Sequence, residues 1–277
     1  MNYEGTIYRP PSEAGSLLIQ ATIGCAWNKC TFCDMYKDKA FRVRSLADIV
    51  RDLRESAVYR DRIRRIFLCD GNALAISTQD LAELLETIRT LYPDLEGVRA
   101  YASARDILGK TPRELKLLAS LGLDMLFIGL ESGSDSVLRK VNKGITKQQM
   151  IDAAHLLHEA GIRQSVSIIA GLGGEEAWQE HIRETADALN SMQPDFLGML
   201  VLYVGSDAEL YQEIRRGSFR LPSASQVMDE MHLLLQSLIL DNCYFTSAHI
   251  SNYLHVKGRL PQDKEQLLAQ IGGVRSS

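Results

Sequence analysis

The chain has 277 residues, 45% of them hydrophobic, and no apolar run reaches the roughly 18 residues that a membrane-spanning helix requires. This length and composition predict a soluble globular protein with a sizeable core and exclude a membrane-spanning one. The formal net charge of -4 and the pI near 5.9 argue against a nucleic-acid partner, because domains that bind nucleic acid are usually basic.

The N-terminal sequence, MNYEGTIYRPPSEAG, has neither the apolar segment of a secretory signal nor the Arg-rich amphipathic pattern of an organellar one. We therefore expect a cytoplasmic protein. In that compartment thiols stay reduced, and clustered cysteines more often bind metal or do redox chemistry than form disulfides.

Short apolar runs alternate with amphipathic helical patterns along most of the chain. The runs are rich in β-branched or bulky residues and are predicted to be buried strands: 16–22, 65–69, 97–102, 125–129, 164–170 and 196–202. Helical patterns cover 45–56, 77–92, 111–122, 146–161 and 177–192. Repeated strand-helix units predict parallel strands joined by right-handed crossovers, in an open sheet or a partial barrel.

The alternation ends near residue 206. Helical patterns at 208–217 and 225–240 are followed by the polar segment DNCYFTSAHISNYLHVKGRLP, residues 241–261. We predict a catalytic core over residues 1–205 and a C-terminal extension over residues 206–277 that closes the barrel.

Polar or glycine-rich residues follow each of the first five predicted strands. They are a loop with three cysteines at 24–37 (the cysteine loop), CDGNA at 69–73, SARD at 103–106, LESGS at 130–134 and GLGGEE at 171–176. The carboxyl ends of parallel strands carry the functional residues in both open sheets and barrels. The sequence therefore predicts a functional site at the rim formed by the carboxyl ends of these strands.

The cysteine loop, GCAWNKCTFCDMYK, places Cys25, Cys30 and Cys33 within nine positions of a chain that holds five cysteines. A closed structural zinc site requires four ligands, and no neighbouring His or Cys supplies the fourth. A 4Fe-4S cluster held by three thiolates instead leaves one iron open to an exogenous ligand. A structural metal site is the alternative interpretation.

These motifs resemble the radical S-adenosylmethionine (SAM) superfamily from about residue 6 to residue 217. The resemblance is carried by the three cysteines after the first strand, by Phe32 before the last of them, and by the strand-helix units. Residues 129–144 are similar to the branch that contains coproporphyrinogen dehydrogenases and methylthiotransferases. The family usually places three residues between its first two cysteines, whereas this sequence has four.

The resemblance implies an α/β fold, a partial (β/α)6 TIM-like barrel of parallel strands with a helical and irregular C-terminal extension. It also implies a 4Fe-4S cluster on Cys25, Cys30 and Cys33, with SAM bound along the rim. The SAM-binding residues would be Asp70, Gly71 and Asn72 near the amino group, Ser103 and Arg105 near the carboxylate, Glu131 at the ribose, and Gly171 and Leu172 at the adenine. Each has a structural alternative, since glycines serve any tight turn and Glu131 could cap the following backbone.

The function implied is that of a radical SAM enzyme. Its cluster reductively cleaves SAM to a 5'-deoxyadenosyl radical, which abstracts hydrogen from a small-molecule or peptide substrate under anaerobic conditions. An external electron donor such as flavodoxin or ferredoxin would supply the electron. The alternatives are a radical SAM enzyme acting on tRNA or porphyrin, and a non-catalytic iron-sulfur or zinc module.

In the C-terminal extension, His249, Ser251, Asn252 and Tyr253 are candidates for a wall around the substrate. A radical enzyme needs such a wall to exclude water and side reactions. The alternative is a plug that only caps the core of the barrel.

Overall fold

A computed structural model describes residue 1 and residues 3–275 of the chain, in which strands alternate with helices. The strands are β1 (Leu17–Gln20), β2 (Thr22–Ile23), β3 (Arg42–Val43), β4 (Arg65–Cys69), β5 (Gly97–Ala102), β6 (Leu123–Glu131), β7 (Arg163–Ala170), β8 (Phe196–Val201), β9 (Cys243–Thr246) and β10 (Lys257–Leu260). The helices are α1 (Leu46–Ser56), α2 (Thr78–Leu91), α3 (Ala104–Leu108), α4 (Pro112–Ser120), α5 (Asp135–Lys140), α6 (Lys147–Ala160), α7 (Gly174–Met192), α8 (Glu209–Arg216), α9 (Ala224–Ser237) and α10 (Lys264–Arg275). None of the helices in these described parts is long and apolar enough to cross a membrane.

The predicted apolar runs coincide with strands β1, β4, β5, β6, β7 and β8. Helix starts follow the capping signals of the sequence. Ser45 and Ser77 cap α1 and α2, and Thr111 forms a reciprocal capping box with Glu114 at α4. The strand-helix alternation was therefore readable from hydrophobic period and capping residues together.

The contacts within the chain divide it into two compact units. The first unit comprises Met1–Asn28, Met35–Ile128 and His155–Gln164. The second unit comprises Lys29–Asp34, Gly129–Ala154 and the chain from Ser165 onward. The predicted division into a core over 1–205 and an extension over 206–277 stays a prediction.

Parallel strands form the sheet of the first unit, in the order β1-β4-β5-β6. Three aromatic rings pack edge-on between these strands: Phe67 lies 5.0 Å from Tyr101 and 5.4 Å from Phe127, measured between ring centroids. Edge-to-face packing at such distances is the favoured arrangement of aromatic side chains. Their contacts fix β4, β5 and β6 against one another.

In the second unit, β7, β8 and β9 are parallel and β10 is antiparallel to β9. The register places Ser165 of β7 opposite Phe196 of β8, and Phe196 opposite Tyr244 of β9. Helices α7 and α9 of the same unit pack against each other. The second unit thus continues the strand-helix pattern into the C-terminal residues.

One expectation about the C-terminal extension needs correction. Its polar segment was predicted to be irregular, yet it contains the two short strands β9 and β10, and α10 follows them. In β9 the buried residues Cys243 and Phe245 alternate with half-buried ones, and in β10 buried residues alternate with exposed ones. Four-residue strands with only two buried positions are too short to give a clear period-two signal.

Candidate active site

The three clustered cysteines carry reduced, half-buried thiols. Cys25 belongs to the first unit, whereas Cys30 and Cys33 belong to the second. Within residues 1 and 3–275, no group of three or more His, Cys, Asp or Glu side chains could hold a metal ion. The assignment of these cysteines as ligands stays a prediction.

Asp70, at the end of β4, binds the backbone and side chains around the start of the cysteine loop. Its Oδ2 atom accepts hydrogen bonds from the Gly24 amide at 3.0 Å, from Gln20 Nε2 at 3.0 Å and from Lys39 Nζ at 2.9 Å. Asp70 is fully buried, and its Oδ1 atom has no hydrogen-bond partner among the described residues. One carboxylate oxygen thus organises the start of the loop, and the other stays unsatisfied among the described residues.

Gly71 and Asn72 continue this contact with the loop. A side chain at Gly71 would lie 3.2 Å from the Cβ of Cys25 and 3.2 Å from the ring of Tyr36, which is tighter than ordinary contact. Asn72 Oδ1 accepts a 2.9 Å hydrogen bond from the Ala26 amide, and its Nδ2 donates to Asp106 at 2.6 Å. The close approach explains why a glycine occupies position 71.

The predicted carboxylate-binding residues Ser103 and Arg105 both have protein partners. Ser103 caps α3, and its hydroxyl and amide donate to Asp106 Oδ2 at 2.6 and 3.2 Å. The guanidinium carbon of Arg105 lies 4.2 Å from the ring centroid of Trp27 in the cysteine loop. A guanidinium over an indole face at this distance makes a cation-π contact.

In the second unit, Phe32 is buried in an apolar cluster. The other buried members are Val137, Val141, Leu172, Leu210 and Phe219, and Cys30 and Cys33 pack against the cluster. Two backbone hydrogen bonds hold the same segment, from the Thr31 amide to the Val141 carbonyl at 3.0 Å and from the Leu210 amide to the Thr31 carbonyl at 2.8 Å. Leu172, predicted at the adenine, is therefore part of the packing around Phe32.

Glu131, at the end of β6, forms an ion pair with Lys143, whose Nζ lies 2.9 Å from Glu131 Oε1. Burial lowers the pKa of Lys143, but the Glu131 carboxylate and the Cys30 and Cys33 thiols outweigh it, so that the pKa is raised overall. Lys143 therefore stays protonated. A Cβ atom at Gly129 would overlap Glu131 Oε1 and lie 3.0 Å from Lys143 Nζ, so the glycine leaves room for the pair in this arrangement.

Gly171 adopts a left-handed conformation with φ of 85° in the turn after β7. Its amide donates a 2.7 Å hydrogen bond to Oε2 of Glu230 on α9. Glu230 is fully buried, burial raises its pKa to about 8, and its Oε1 atom has no partner among the described residues. The turn predicted to hold adenine is thus supported by a carboxyl group that is largely protonated at neutral pH.

His181 of α7 is a buried histidine that contacts β7 and the turn after β6. Its Nε2 lies 3.0 Å from the Ile169 carbonyl, so Nε2 carries the proton, and its Nδ1 lies 2.8 Å from the Ser132 hydroxyl. Burial lowers the pKa of His181 to about 4. A neutral imidazole satisfied at both nitrogens fixes the turn after β6 to α7.

The four candidates for a substrate wall differ in their hydrogen bonds and in their exposure. Asn252 Nδ2 donates to the Met199 and Ser247 carbonyls at 2.6 Å each, and its Oδ1 accepts from the Val201 amide at 2.7 Å. Ser251 hydrogen-bonds to His249 at 2.8 Å, whereas the side chain of Tyr253 is exposed. Asn252 thus fastens the segment to β8, while a role in substrate contact stays a prediction for the four residues.

Sequence reasoning missed Lys39, Trp27, Lys143 and Glu230. Lys39 and Lys143 are lysines in polar stretches, and nothing in their spacing distinguishes them from surface charges. Glu230 lies in an amphipathic helix, where a carboxylate normally faces solvent. Trp27 did offer a signal, because it lies between cysteines that are one residue further apart than the family usually has.

Fold and strand-end residues together define an α/β protein of parallel strands with a three-cysteine loop after the first strand. A sequence model of the radical SAM superfamily matches residues 19–189, more than half of the chain. The chain therefore belongs to the radical SAM superfamily. This confirms the family that the motifs indicated.

Several characterised proteins are similar to the chain at low identity. The heme chaperone HemW of Lactococcus lactis is 22% identical over 194 residues, covering 70% of this chain and 50% of that protein. Coproporphyrinogen III oxidase (HemN) of Escherichia coli, a radical SAM enzyme, has a TM-score of 0.60 at 19% identity, covering 80% of this chain and 52% of that one. The methyltransferase TsrM of Kitasatospora setae, with cobalamin and a [4Fe-4S] cluster bound, has a TM-score of 0.58 at 22% identity, covering 73% and 40%.

The chain thus spans about half the length, or less, of these relatives. The likeness of the solved structures confirms the predicted α/β fold, a partial TIM-like barrel. At these identities it does not carry the relatives' substrates to this protein.

Proposed function

We propose that the protein is a radical SAM enzyme whose Cys25, Cys30 and Cys33 hold a 4Fe-4S cluster. When bound, the cluster would supply the one electron that cleaves the C–S bond of SAM into methionine and a 5'-deoxyadenosyl radical, and that radical would abstract hydrogen from a small-molecule or peptide substrate. The enzyme would act anaerobically in the cytoplasm and take its electron from a donor such as flavodoxin or ferredoxin.

The observation that carries the proposal is the superfamily match over residues 19–189, which includes all three cysteines and the polar turns after β4, β5, β6 and β7. The chemistry of the donor set also supports it. Three reduced thiols suit an iron-sulfur cluster with one open iron better than a closed zinc site, which requires four ligands.

The second cofactor, SAM, is supported by two buried oxygens that lack partners among the described residues. Oδ1 of Asp70 in the first unit would accept a hydrogen bond from the amino group of SAM. Oε1 of Glu230 in the second unit lies in the side chain that supports Gly171, the residue proposed to contact adenine. A buried polar atom without a partner is costly, so a ligand that satisfies it gains binding energy.

The residues of this chain would then bind and orient the cofactor. Glu131 would accept from a ribose hydroxyl through Oε2, because Oε1 already accepts from Lys143. Lys143 fixes that carboxylate in direction through their ion pair, and its positive charge is favourable beside the thiolates of Cys30 and Cys33. The segment with His249 and Tyr253 would exclude water from the substrate.

Anaerobic reconstitution with iron and sulfide, followed by reduction and addition of SAM, tests the proposal. We expect 5'-deoxyadenosine, detected by mass spectrometry. Cys30→Ala should abolish its formation. Cys243→Ala is the matched control, because Cys243 is a buried thiol of β9 outside the cysteine loop, and this variant should keep the product.

A protein that takes up a 4Fe-4S cluster and forms no 5'-deoxyadenosine is then titrated with SAM. Binding would indicate that turnover waits for the substrate. Absence of binding by the loaded protein would contradict the enzyme and leave a non-catalytic iron-sulfur module. A colourless protein that binds zinc instead of a cluster would contradict the proposal outright.

A further inference from the structure

The first cysteine pair encloses four residues, Ala26, Trp27, Asn28 and Lys29, where the family usually has three. The first three belong to the first unit. A longer loop has more conformations to lose when its cysteines are placed, so its geometry depends on contacts made by the enclosed residues.

Each of these three residues makes a contact with another part of the first unit. The Ala26 amide donates to Asn72 Oδ1 at 2.9 Å, and the Trp27 indole lies against the guanidinium of Arg105 at 4.2 Å. Asn28 adopts the left-handed conformation, with φ of 45°, and its Nδ2 donates to the Tyr36 carbonyl at 2.7 Å. The left-handed region is sparsely occupied except by Gly, Asn and Asp, so the residue type fits the backbone that the loop requires.

Arg105 is the member of this set that the family resemblance places near the SAM carboxylate. In the structure its guanidinium lies over the indole of Trp27, and the neighbouring Ser103 is used to cap α3. Tryptophan is the best aromatic partner for a cation, and arginine stacks on it with its planar group. The contact joins the cysteine loop to the start of α3.

We propose that Arg105 is a positioning residue of the cysteine loop, which acts by stacking on Trp27 and not by binding the SAM carboxylate. The inference rests on the proposed function, because the purpose of placing Cys25 is to hold the cluster. Asn72 acts on the same loop through Ala26. Arg105 and Asn72, two of the residues expected to bind SAM, thus hold the longer segment between the first two cysteines.

The test compares Trp27→Ala, Arg105→Ala and the double variant in the reconstituted protein. A stacking contact of this kind corresponds to a roughly two- to five-fold change in an equilibrium constant. We expect each single variant to lose its cluster to an iron chelator about two to five times faster than the parent protein. The double variant should be no worse than either single one, since both remove the same contact.

SAM affinity separates positioning from ligand binding. Titration of the cluster-loaded proteins should give a dissociation constant within about two-fold of the parent for Arg105→Ala. Trp27→Phe should restore most of the cluster retention, because it keeps an aromatic face. Arg42→Ala is the control, since Arg42 is an exposed arginine that pairs with Glu4.

A ten-fold or greater loss of SAM affinity in Arg105→Ala, with cluster retention unchanged, would overturn the inference and restore the carboxylate role. Additive effects of the two substitutions would overturn it as well. A parent protein that takes up no cluster would refute the proposed function instead.

If the parent protein takes up no cluster, the cluster-free chain still tests the contact between Trp27 and Arg105. Amide hydrogen exchange at Ala26, whose N–H is hydrogen-bonded to Asn72, should be about two to five times faster in both single variants if the stack holds the loop. Unchanged exchange would refute the positioning role independently of any cofactor.

Discussion

The two parts of the cysteine loop are held in opposite ways. Residues 24–28, in the first unit, are held by polar and charged side chains, chiefly Asp70, Asn72 and Arg105. Residues 30–34, in the second unit, are held by apolar packing around Phe32 and by two backbone hydrogen bonds. The same short motif therefore depends on directional hydrogen bonds at one end and on close packing at the other.

The difference predicts how each part responds to change. Buried hydrogen bonds and ion pairs depend on the identity of both partners, so removing one leaves the other uncompensated. Apolar packing depends on volume, and a smaller apolar residue loses only part of the contact. Substitutions in the first part should thus be rescued by changing the partner, and those in the second by restoring size.

The largest effect is expected from Asp70→Asn. Asp70 and Lys39 form a buried ion pair, with side-chain exposures of 0% and 6%, and the substitution leaves the Lys39 charge without a counter-charge. Removing one partner of a buried pair costs about 3–5 kcal/mol. Urea unfolding of the cluster-free protein measures this loss.

Asp70→Asn combined with Lys39→Met should recover much of the lost stability, because the buried charge is then gone. No recovery in the double variant would mean that the hydrogen bonds of Asp70 to Gly24 and Gln20, and not the pairing of charges, hold the loop.

Phe32→Ala tests the second part. Phe32 is buried, and its truncation leaves a cavity among Val141, Leu172 and Phe219, so we expect a loss of about 3 kcal/mol in the free energy of unfolding. Phe32→Leu should lose less than half of this. Equal losses in the two variants would show that the aromatic ring itself, and not its volume, is required.

The strand-helix order was predictable because hydrophobic period and capping residues are local properties of the sequence. The positions of β4 and β5 agree with the predicted runs at both ends. The two short strands of the C-terminal extension were not predictable, since β9 and β10 each hold only two buried residues and β9 joins the sheet by pairing with β8, which is distant in sequence.

For the site, residue types could be predicted but their partners could not. The turns after β4 and β6 were correctly placed at strand ends, yet no partner of Asp70 within the protein was predicted. Its pairing with Lys39 depends on the path of the chain after Cys33, which no local pattern specifies. The support of Gly171 by Glu230 joins residues 59 positions apart and has the same cause.

A smaller effect is expected from pH, because the free energy of unfolding depends on the protonation of the buried Glu230. Burial raises the pKa of Glu230 to about 8, against an ordinary value of 4.5, so the folded protein binds this proton more tightly than the unfolded chain. The stabilisation is complete below the unfolded pKa and is lost as pH rises through the folded pKa. Between about pH 7 and 8 the loss from this one group is about 1 kcal/mol.

Glu230→Gln removes the titrating proton and keeps an oxygen that can accept from the Gly171 amide. We expect its unfolding free energy to fall less steeply than that of the parent protein over this pH range. His181, whose pKa is lowered by burial to about 4, contributes the opposite slope at acid pH, where stability is lost as pH falls below its ordinary value of 6.5. Parallel pH profiles for the parent and Glu230→Gln would show that Glu230 does not titrate in this range.

The smallest effect is expected from Arg42→Ala, which removes an exposed charge close in sequence to the buried Lys39. Arg42 pairs with Glu4, and both side chains are 52% exposed. An exposed ion pair contributes about 0–1 kcal/mol, since water already solvates both charges and the side chains lose freedom by pairing. Urea unfolding at low and high salt should therefore give nearly the same value as the parent protein. A loss comparable to that of Asp70→Asn would mean that exposed charge on β3, and not burial at Asp70, holds this part of the first unit.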